Sequence, residues 1–198
     1  MTTKVTGVVL AGGQGRRMAF QDKGLVKFHG EPLVVHAAKA LADVADEVMI
    51  NANRNLEQYR QLGFEVVTDQ TDSFDGPLAG LLSAMQHVET GILLVMPCDS
   101  PIFSSKHLSK LLKTLREQNA DVAVACLGEK LQPVFLAVKT NLNISLKNYL
   151  ASGQRKLADW LTQQHLVRVD FSDHPDIFAN INTLEDLQSL ESSTLQQS

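Results

Sequence analysis

Seven short runs of apolar, largely β-branched residues, at 5–10, 47–52, 64–68, 92–96, 121–126, 134–138 and 166–170, punctuate the chain. Between them lie longer stretches whose apolar residues recur every three or four positions, at 33–42, 56–62, 78–88, 106–118, 142–151, 156–164 and 184–190. Strands alternating with helices in this way form βαβ units, so the pattern predicts an α/β fold with a mainly parallel central sheet. Local start signals agree with these boundaries. Ser104 or Ser105 can cap the helix that begins near Lys106, and Thr183 with Glu185 and Asp186 can open the last one.

At 198 residues and 44% hydrophobic content, the chain has enough apolar surface for one core. No repeat or Pro/Gly/Ser-rich linker divides it. A single domain over 1–190 is expected, with a polar tail at 191–198 that frays. The net charge of −4 argues against a general nucleic-acid or membrane-surface binder, which would present a basic field. No run approaches ~18 apolar residues, and the N-terminus lacks a basic region followed by an apolar one. A cytoplasmic protein with neither nucleic acid nor membrane as partner is expected. Cys98 and Cys126 are too few for a disulfide framework or a zinc site and read as small core residues. The six histidines show no metal-ligand spacing, and Trp160 and the phenylalanines read as core.

The first strand runs into Leu10-Ala11-Gly12-Gly13-Gln14-Gly15-Arg16-Arg17-Met18, with Asp22-Lys23 shortly after. Glycines let backbone N–H groups approach an anion, and Arg16, Arg17 and Lys23 add side-chain charge suited to a polyphosphate. Neither common nucleotide loop is present. A Walker A loop needs Gly-Lys-Ser/Thr where Gly15 precedes Arg16, and a dinucleotide fingerprint needs glycine where Met18 stands.

In open parallel sheets ligands gather beyond the carboxyl ends of the strands. Here four successive strands end in polar residues: the glycine loop after Leu10, then Asn51, Asp69 and Asp99. Asp99 follows the apolar run Ile92 to Met96 and sits between Pro97 and Pro101. A carboxylate at a strand end can hold Mg²⁺, which binds one or two carboxylates, waters and phosphates, although turn aspartates are also ordinary. Asn51 offers both a donor and an acceptor to a base or ribose edge. Pro77 suits a first helical turn in Gly76-Pro77-Leu78-Ala79-Gly80, where small residues permit either close ligand approach or close helix packing.

The spacing Leu-Ala-Gly-Gly-x-x-x-Arg-Met…Asp-Lys resembles that of the GT-A-like nucleotidyltransferases, and within them the molybdenum cofactor guanylyltransferases. Pro97-Cys98-Asp99-Ser100-Pro101, Asn51-Ala52-Asn53 and Gly76-Pro77-Leu78-Ala79-Gly80 are similar to further motifs of that family. The resemblance extends to Asn180-Ile181-Asn182-Thr183 and implies a three-layer α/β/α, Rossmann-like fold. It also implies transfer of GMP from GTP to the phosphate of molybdenum-bearing molybdopterin, with release of pyrophosphate.

On that resemblance Arg17, Lys23 and Asp99 are the catalytic residues. Leu10, Ala11, Gly12, Gly13, Gly15, Lys23, Asn51, Asp69, Gly80 and Asp99 face the nucleotide. Asp99 holds Mg²⁺, with Mn²⁺ as a substitute. Gln132-Pro133 and the segments carrying Arg155, Lys156, Asn180 and Asn182 line the acceptor side. Adjacent basic residues at a helix start oppose the helix dipole unless an anion is bound, which fits that role for Arg155 and Lys156. Asn180 and Asn182 are expected to point in alternate directions, leaving one facing the site. Cys98 lies close enough to Asp99 that a role beside a substrate sulfur is the alternative to core packing. Partners implied are the two substrates, with transient contact to other cofactor-biosynthesis proteins and molybdoenzyme chaperones.

The chain departs from the family pattern at Ala19-Phe20, where a glycine usually follows Met18. Rival readings are a cytidylyltransferase or sugar-phosphate nucleotidyltransferase of the same superfamily, and a non-catalytic GTP- or cofactor-binding adaptor.

Overall fold

The computed structural model describes residues 3–12, 22–70 and 76–195. In chain order the elements are β1 (Val5–Leu10), β2 (Lys27–Phe28), β3 (Glu31–Pro32), α1 (Leu33–Ala42), β4 (Glu47–Asn51) and α2 (Leu56–Arg60). They continue with β5 (Glu65–Val67), α3 (Pro77–His87), β6 (Ile92–Pro97), α4 (Ser105–Glu117), β7 (Val122–Leu127) and β8 (Lys130–Lys139). The last are α5 (Asn143–Ala151), α6 (Leu157–Leu161), β9 (Leu166–Asp170) and α7 (Leu184–Leu195).

Among the described residues the main sheet has the order β5-β4-β1-β6-β8-β7-β9. Strand side chains alternate between two buried faces, as expected of a sheet covered on both sides. Val9, Leu94, Met96, Ala123 and Ala137 enter one core with α1, α2 and α4. Val8, Leu93, Val95, Val124 and Leu136 enter the other with α3, α5 and α6. This is the three-layer α/β/α arrangement. No helix of the described residues is long and apolar enough to cross a membrane.

Strand β8 is the exception to parallel pairing, running antiparallel to both β6 and β7. Its pairing jumps from Val124↔Leu136 to Ala125↔Gln132, so Pro133, Val134 and Phe135 bulge out where Pro133 has no N–H to donate. The bulge sends Phe135 into an aromatic group with Phe103 at 4.5 Å and Phe178 at 5.0 Å between ring centroids. Phe103 N–H also donates to Ser100 O at 3.1 Å. The turn that follows β6 is therefore pinned from below by aromatic packing.

Two features differ from the sequence expectation. A hairpin joins β2 to β3 through His29 and Gly30, both at positive φ (49° and 81°), as in a type I′ turn. The tail expected to fray from Glu191 is instead helical through Leu195. Glu191 accepts the His29 N–H at 2.7 Å, and Thr194 Oγ1 lies 2.7 Å from His29 Nε2.

Ser104 is the N-cap of α4, and its N–H donates to His107 Nδ1 at 3.0 Å. Burial first, then Lys106, hold His107 below its ordinary pKa. The fold therefore binds fewer protons at His107 than the unfolded chain does. Stability from this group is present above about pH 6.5 and is lost as pH falls through the depressed folded value. His107→Gln keeps a side chain that can accept the cap N–H, so its melting temperature should fall less between pH 7.5 and 5 than that of the native protein.

Candidate active site

The strand order reverses between β1 and β6, and the carboxyl ends of these neighbours are where a doubly wound sheet opens a crevice. Leu10 O accepts the Cys98 N–H at 3.1 Å, while Ala11 N–H donates to Asn51 O at 2.8 Å. The end of β1 is thus locked between the ends of β6 and β4. Gly12 follows, exposed, with space for a Cβ limited by Asn53 Nδ2 at 3.3 Å and Asn51 Oδ1 at 3.5 Å. Gly13, Gly15 and Arg17, with Arg16 and Ala19, lie outside the described residues.

On one side of this crevice the polar residues form a closed network. Asn51, only 3% exposed, donates from Nδ2 to Asp69 Oδ1 at 2.9 Å and to Val67 O at 3.3 Å. Asn53 donates to Asp69 Oδ2 at 2.7 Å and accepts the Asp69 N–H at 2.8 Å. Both carboxylate oxygens of Asp69 are therefore held by amides. Gly80, in the first turn of α3, leaves room for Asn51: a Cβ there would lie 2.2 Å from Asn51 Oδ1 and 3.2 Å from Leu10 Cδ2. The close packing of α3 on Asn51 thus depends on this buried glycine.

On the other side stands Lys23, whose Nζ donates to Asp99 Oδ2 and to Asn182 Oδ1, each at 2.6 Å. An ammonium has three N–H groups, so this geometry leaves one for a further acceptor. Ser100 is fully buried, and its Oγ donates to Asn180 Oδ1 at 2.5 Å. The Ile181 N–H donates to Asp99 O at 2.9 Å. Asn180 meets Ser100 and Asn182 meets the Lys23 ammonium that Asp99 holds, so both face one cluster, which corrects the expectation that one would face away. Residues two apart in an extended segment share a face, and it is Ile181 between them that turns inward to pack with Phe28 and Leu33.

Asn182 is itself held from behind. Asp186 Oδ2 accepts the N–H groups of Asn182 and Thr183, both at 2.9 Å, while Thr183 Oγ1 accepts the Asp186 N–H at 3.0 Å. These bonds, the Asn182 N–H first and then Thr183, hold the Asp186 carboxyl below its ordinary pKa. The cap of α7 is thus also a support of the site.

Arg155 and Lys156 are exposed. Arg155 donates to Leu150 O and Gln154 O, each at 2.8 Å, and Lys156 O accepts from Tyr149 Oη at 2.9 Å. The β8 register and the contact of α5 with α3 bear on which end of the sheet they occupy. Lys139 pairs with Ile92 at the amino end of β6, so α5 starts there and climbs beside α3, and the loop after Ala151 emerges at the crevice end.

Cys98 is buried, and burial first, then the Asp99 carboxylate, push its thiol far above the ordinary value. It packs within the core that α1, α2 and α4 cover. Nothing in the sequence marks Asn55, Tyr59 or Ser100, whose single polar atoms meet Asp22, Asp22 and Asn180 respectively. A groove of about 490 Å³ at the opposite edge of the sheet, lined by Lys4, Glu47, Glu65 and His87 among others, holds none of these groups. Two of its carboxylates are tied to neighbours, Glu47 to Thr6 at 2.6 Å and Glu65 to His87 at 2.8 Å.

Residues 7–169 match the family described as the MobA-like NTP transferase domain. The chain is 41% identical over 190 residues to a molybdenum cofactor guanylyltransferase of Shewanella halifaxensis, covering 96% of this chain and 95% of that one. It is 42% identical over 190 residues to the protein of the same name in Shewanella frigidimarina, covering 96% and 97%. The crystal structure of molybdopterin-guanine dinucleotide biosynthesis protein A from Archaeoglobus fulgidus has the same fold. Its TM-score is 0.79 at 22% identity, with 96% of this chain and 99% of that one covered.

Proposed function

The chain belongs to the molybdenum cofactor guanylyltransferases, with their MobA-like NTP transferase domain, and is a nucleotidyltransferase; from that premise we propose that it transfers GMP from GTP to the phosphate of molybdenum-bearing molybdopterin. The observation that carries this reading is the convergence of Lys23, Asp99 and Asn182 on one side of the β1/β6 crevice with Asn51, Asp69 and Gly80 on the other.

The nucleoside lies against Leu10, Ala11, Gly12, Asn51, Asp69 and Gly80, and the triphosphate runs toward Lys23. An acceptor phosphate oxygen attacks the α-phosphorus in line. The bond from that phosphorus to the α–β bridging oxygen breaks, and pyrophosphate leaves with the electron pair. The attacking phosphate is already ionised near neutral pH, so no general base is required. Catalysis then consists of positioning and of charge neutralisation by fixed groups. Lys23, with Arg17 from the glycine loop, stabilises the leaving pyrophosphate. Asn180 and Asn182 border the side from which the acceptor enters, and Arg155 and Lys156 supply its phosphate with positive charge.

The donor set also suits Mg²⁺ or Mn²⁺. Asp99 Oδ2 and Asn182 Oδ1 already hold one cation, the Lys23 ammonium, between hard oxygen ligands. Among the described residues no cluster of three or more His, Cys, Asp or Glu forms an all-protein cage, as befits an ion that shares its ligands with substrate phosphates. Bound at Asp99, the metal would polarise the α-phosphate and offset its charge.

Gly80→Ala should place a methyl group against Asn51 Oδ1 and dislodge the amide that holds Asp69. We expect nucleotide affinity to fall by about tenfold, with a stability loss of about 1–3 kcal/mol from overpacking. Calorimetric titration and a thermal melt would measure the two separately. The reaction itself is tested by offering Mg²⁺, molybdenum-bearing molybdopterin and each nucleoside triphosphate in turn while measuring pyrophosphate. Turnover with GTP well above CTP supports the reading; equal turnover with CTP, or none with GTP, overturns it.

A further inference from the structure

Tyr59 lies on α2 with no part of its side chain exposed, yet its hydroxyl leaves the apolar core to donate to Asp22 Oδ1 at 2.5 Å. The other oxygen of the same carboxylate, Oδ2, accepts from Asn55 Nδ2 at 3.0 Å. Asn55 makes that bond from a left-handed backbone, φ +50°, which Asn adopts more readily than most side chains. A third observation points the same way. A Cβ on Gly24 would lie 2.5 Å from the Tyr59 hydroxyl oxygen, so the hydroxyl sits close against Gly24, the residue that follows Lys23.

Asp22 is 8% exposed, and a buried carboxylate is tolerated only where donors replace its water. Burial first, then Asp22 itself, push the Tyr59 hydroxyl far above its ordinary pKa, so it remains a donor at every working pH. Asp22 O in turn accepts the Leu25 N–H at 3.0 Å and closes the short turn that carries Lys23.

We propose that Tyr59, together with Asn55 and acting through Asp22, is a positioning residue that sets the Lys23 ammonium at the phosphate end of the site. The inference rests on the role of Lys23 proposed above. It assigns to α2, a helix outside the crevice, the job of aiming that cation.

The test is a double-mutant cycle on the full-length protein with Tyr59→Phe, Lys23→Met and the pair. Affinity for inorganic tripolyphosphate with Mg²⁺ is read by calorimetry, and KM and kcat by pyrophosphate release. Tyr59→Phe should weaken tripolyphosphate binding by about tenfold and raise KM for GTP, but cost nothing further once Lys23 is gone. Asn55→Gly, which keeps the left-handed backbone accessible while deleting the donor, should reproduce the loss even if Tyr59→Phe folds poorly. An equal loss from Tyr59→Phe with and without Lys23 would make the tyrosine a general fold stabiliser and overturn the proposal, as would native affinity in Tyr59→Phe. A native protein inactive with every nucleoside triphosphate would overturn the proposed reaction, and the tripolyphosphate cycle would still decide the role of Tyr59. No tripolyphosphate affinity in the native protein would overturn the positioning role itself.

Discussion

Asp99→Asn is expected to lower kcat by about 10³-fold or more while leaving the protein folded. Asn preserves the shape of the side chain at the end of β6, so the Ile181 N–H still meets the residue-99 carbonyl and the Ser100–Asn180 bond is untouched. What is lost is the negative charge to which the proposed metal role is assigned. The Lys23–Asp99 pair is largely buried, with side chains 21% and 16% exposed, but an Asn oxygen can still accept from Lys23. A shift in melting temperature of no more than about 2–4 °C is therefore expected for a chain of this size. Mn²⁺ binding, followed by electron paramagnetic resonance in the presence of GTP, should weaken in parallel with kcat. Near-native turnover in a folded Asp99→Asn protein would remove Asp99 from the metal role.

Lys23→Met should cost nearly as much, but in a different parameter. Met has comparable length and no charge, so the site keeps Asp22, Asp69 and Asp99 and loses the cation bonded to Asp99 Oδ2 and Asn182 Oδ1. A triphosphate then approaches an acidic crevice with less to offset its charge. We expect GTP affinity to fall by about 100-fold and kcat to fall as well, because pyrophosphate is also less stabilised as it leaves. Lys23→Arg should recover only part of this. The two oxygens at 2.6 Å suit a compact ammonium better than a planar guanidinium fork. Affinity titration alongside steady-state kinetics separates the two effects.

The sheet could be read from the sequence because its central strands are buried on both faces, leaving apolar runs such as Leu93-Leu94-Val95-Met96 that admit few other structures. Strand direction has no such signature. An apolar run reads the same upward or downward, so the antiparallel course of β8 followed only from its pairing with β6 and β7. The β2/β3 hairpin contributes two residues per strand, too few to display alternation. The helical end of α7 looked like a polar tail because its order comes from Glu191 and Thr194 meeting His29, more than 150 positions away.

The site divides along similar lines. Asn51, Asp69 and Asp99 could be identified because polar residues at the ends of parallel strands fall on one edge of the sheet. Gly80 could be singled out as small, but not as the glycine that makes room for Asn51 Oδ1. Tyr59 carries no signal, since its ring packs as any helix-face aromatic would and only the hydroxyl, 37 positions from Asp22, does anything else. Ser100 and Asn180 are joined across 80 positions by one bond, which no local pattern encodes.

The central claim is that this crevice transfers a guanylyl group to a phosphate acceptor. Mass analysis of the product formed from GTP and molybdenum-bearing molybdopterin with Mg²⁺ tests it most directly. The predicted result is an acceptor heavier by one GMP unit, formed in step with pyrophosphate and absent with Asp99→Asn. Release of GDP or GMP without an acceptor adduct, or a CMP adduct formed from CTP in preference to the GMP adduct, would contradict it.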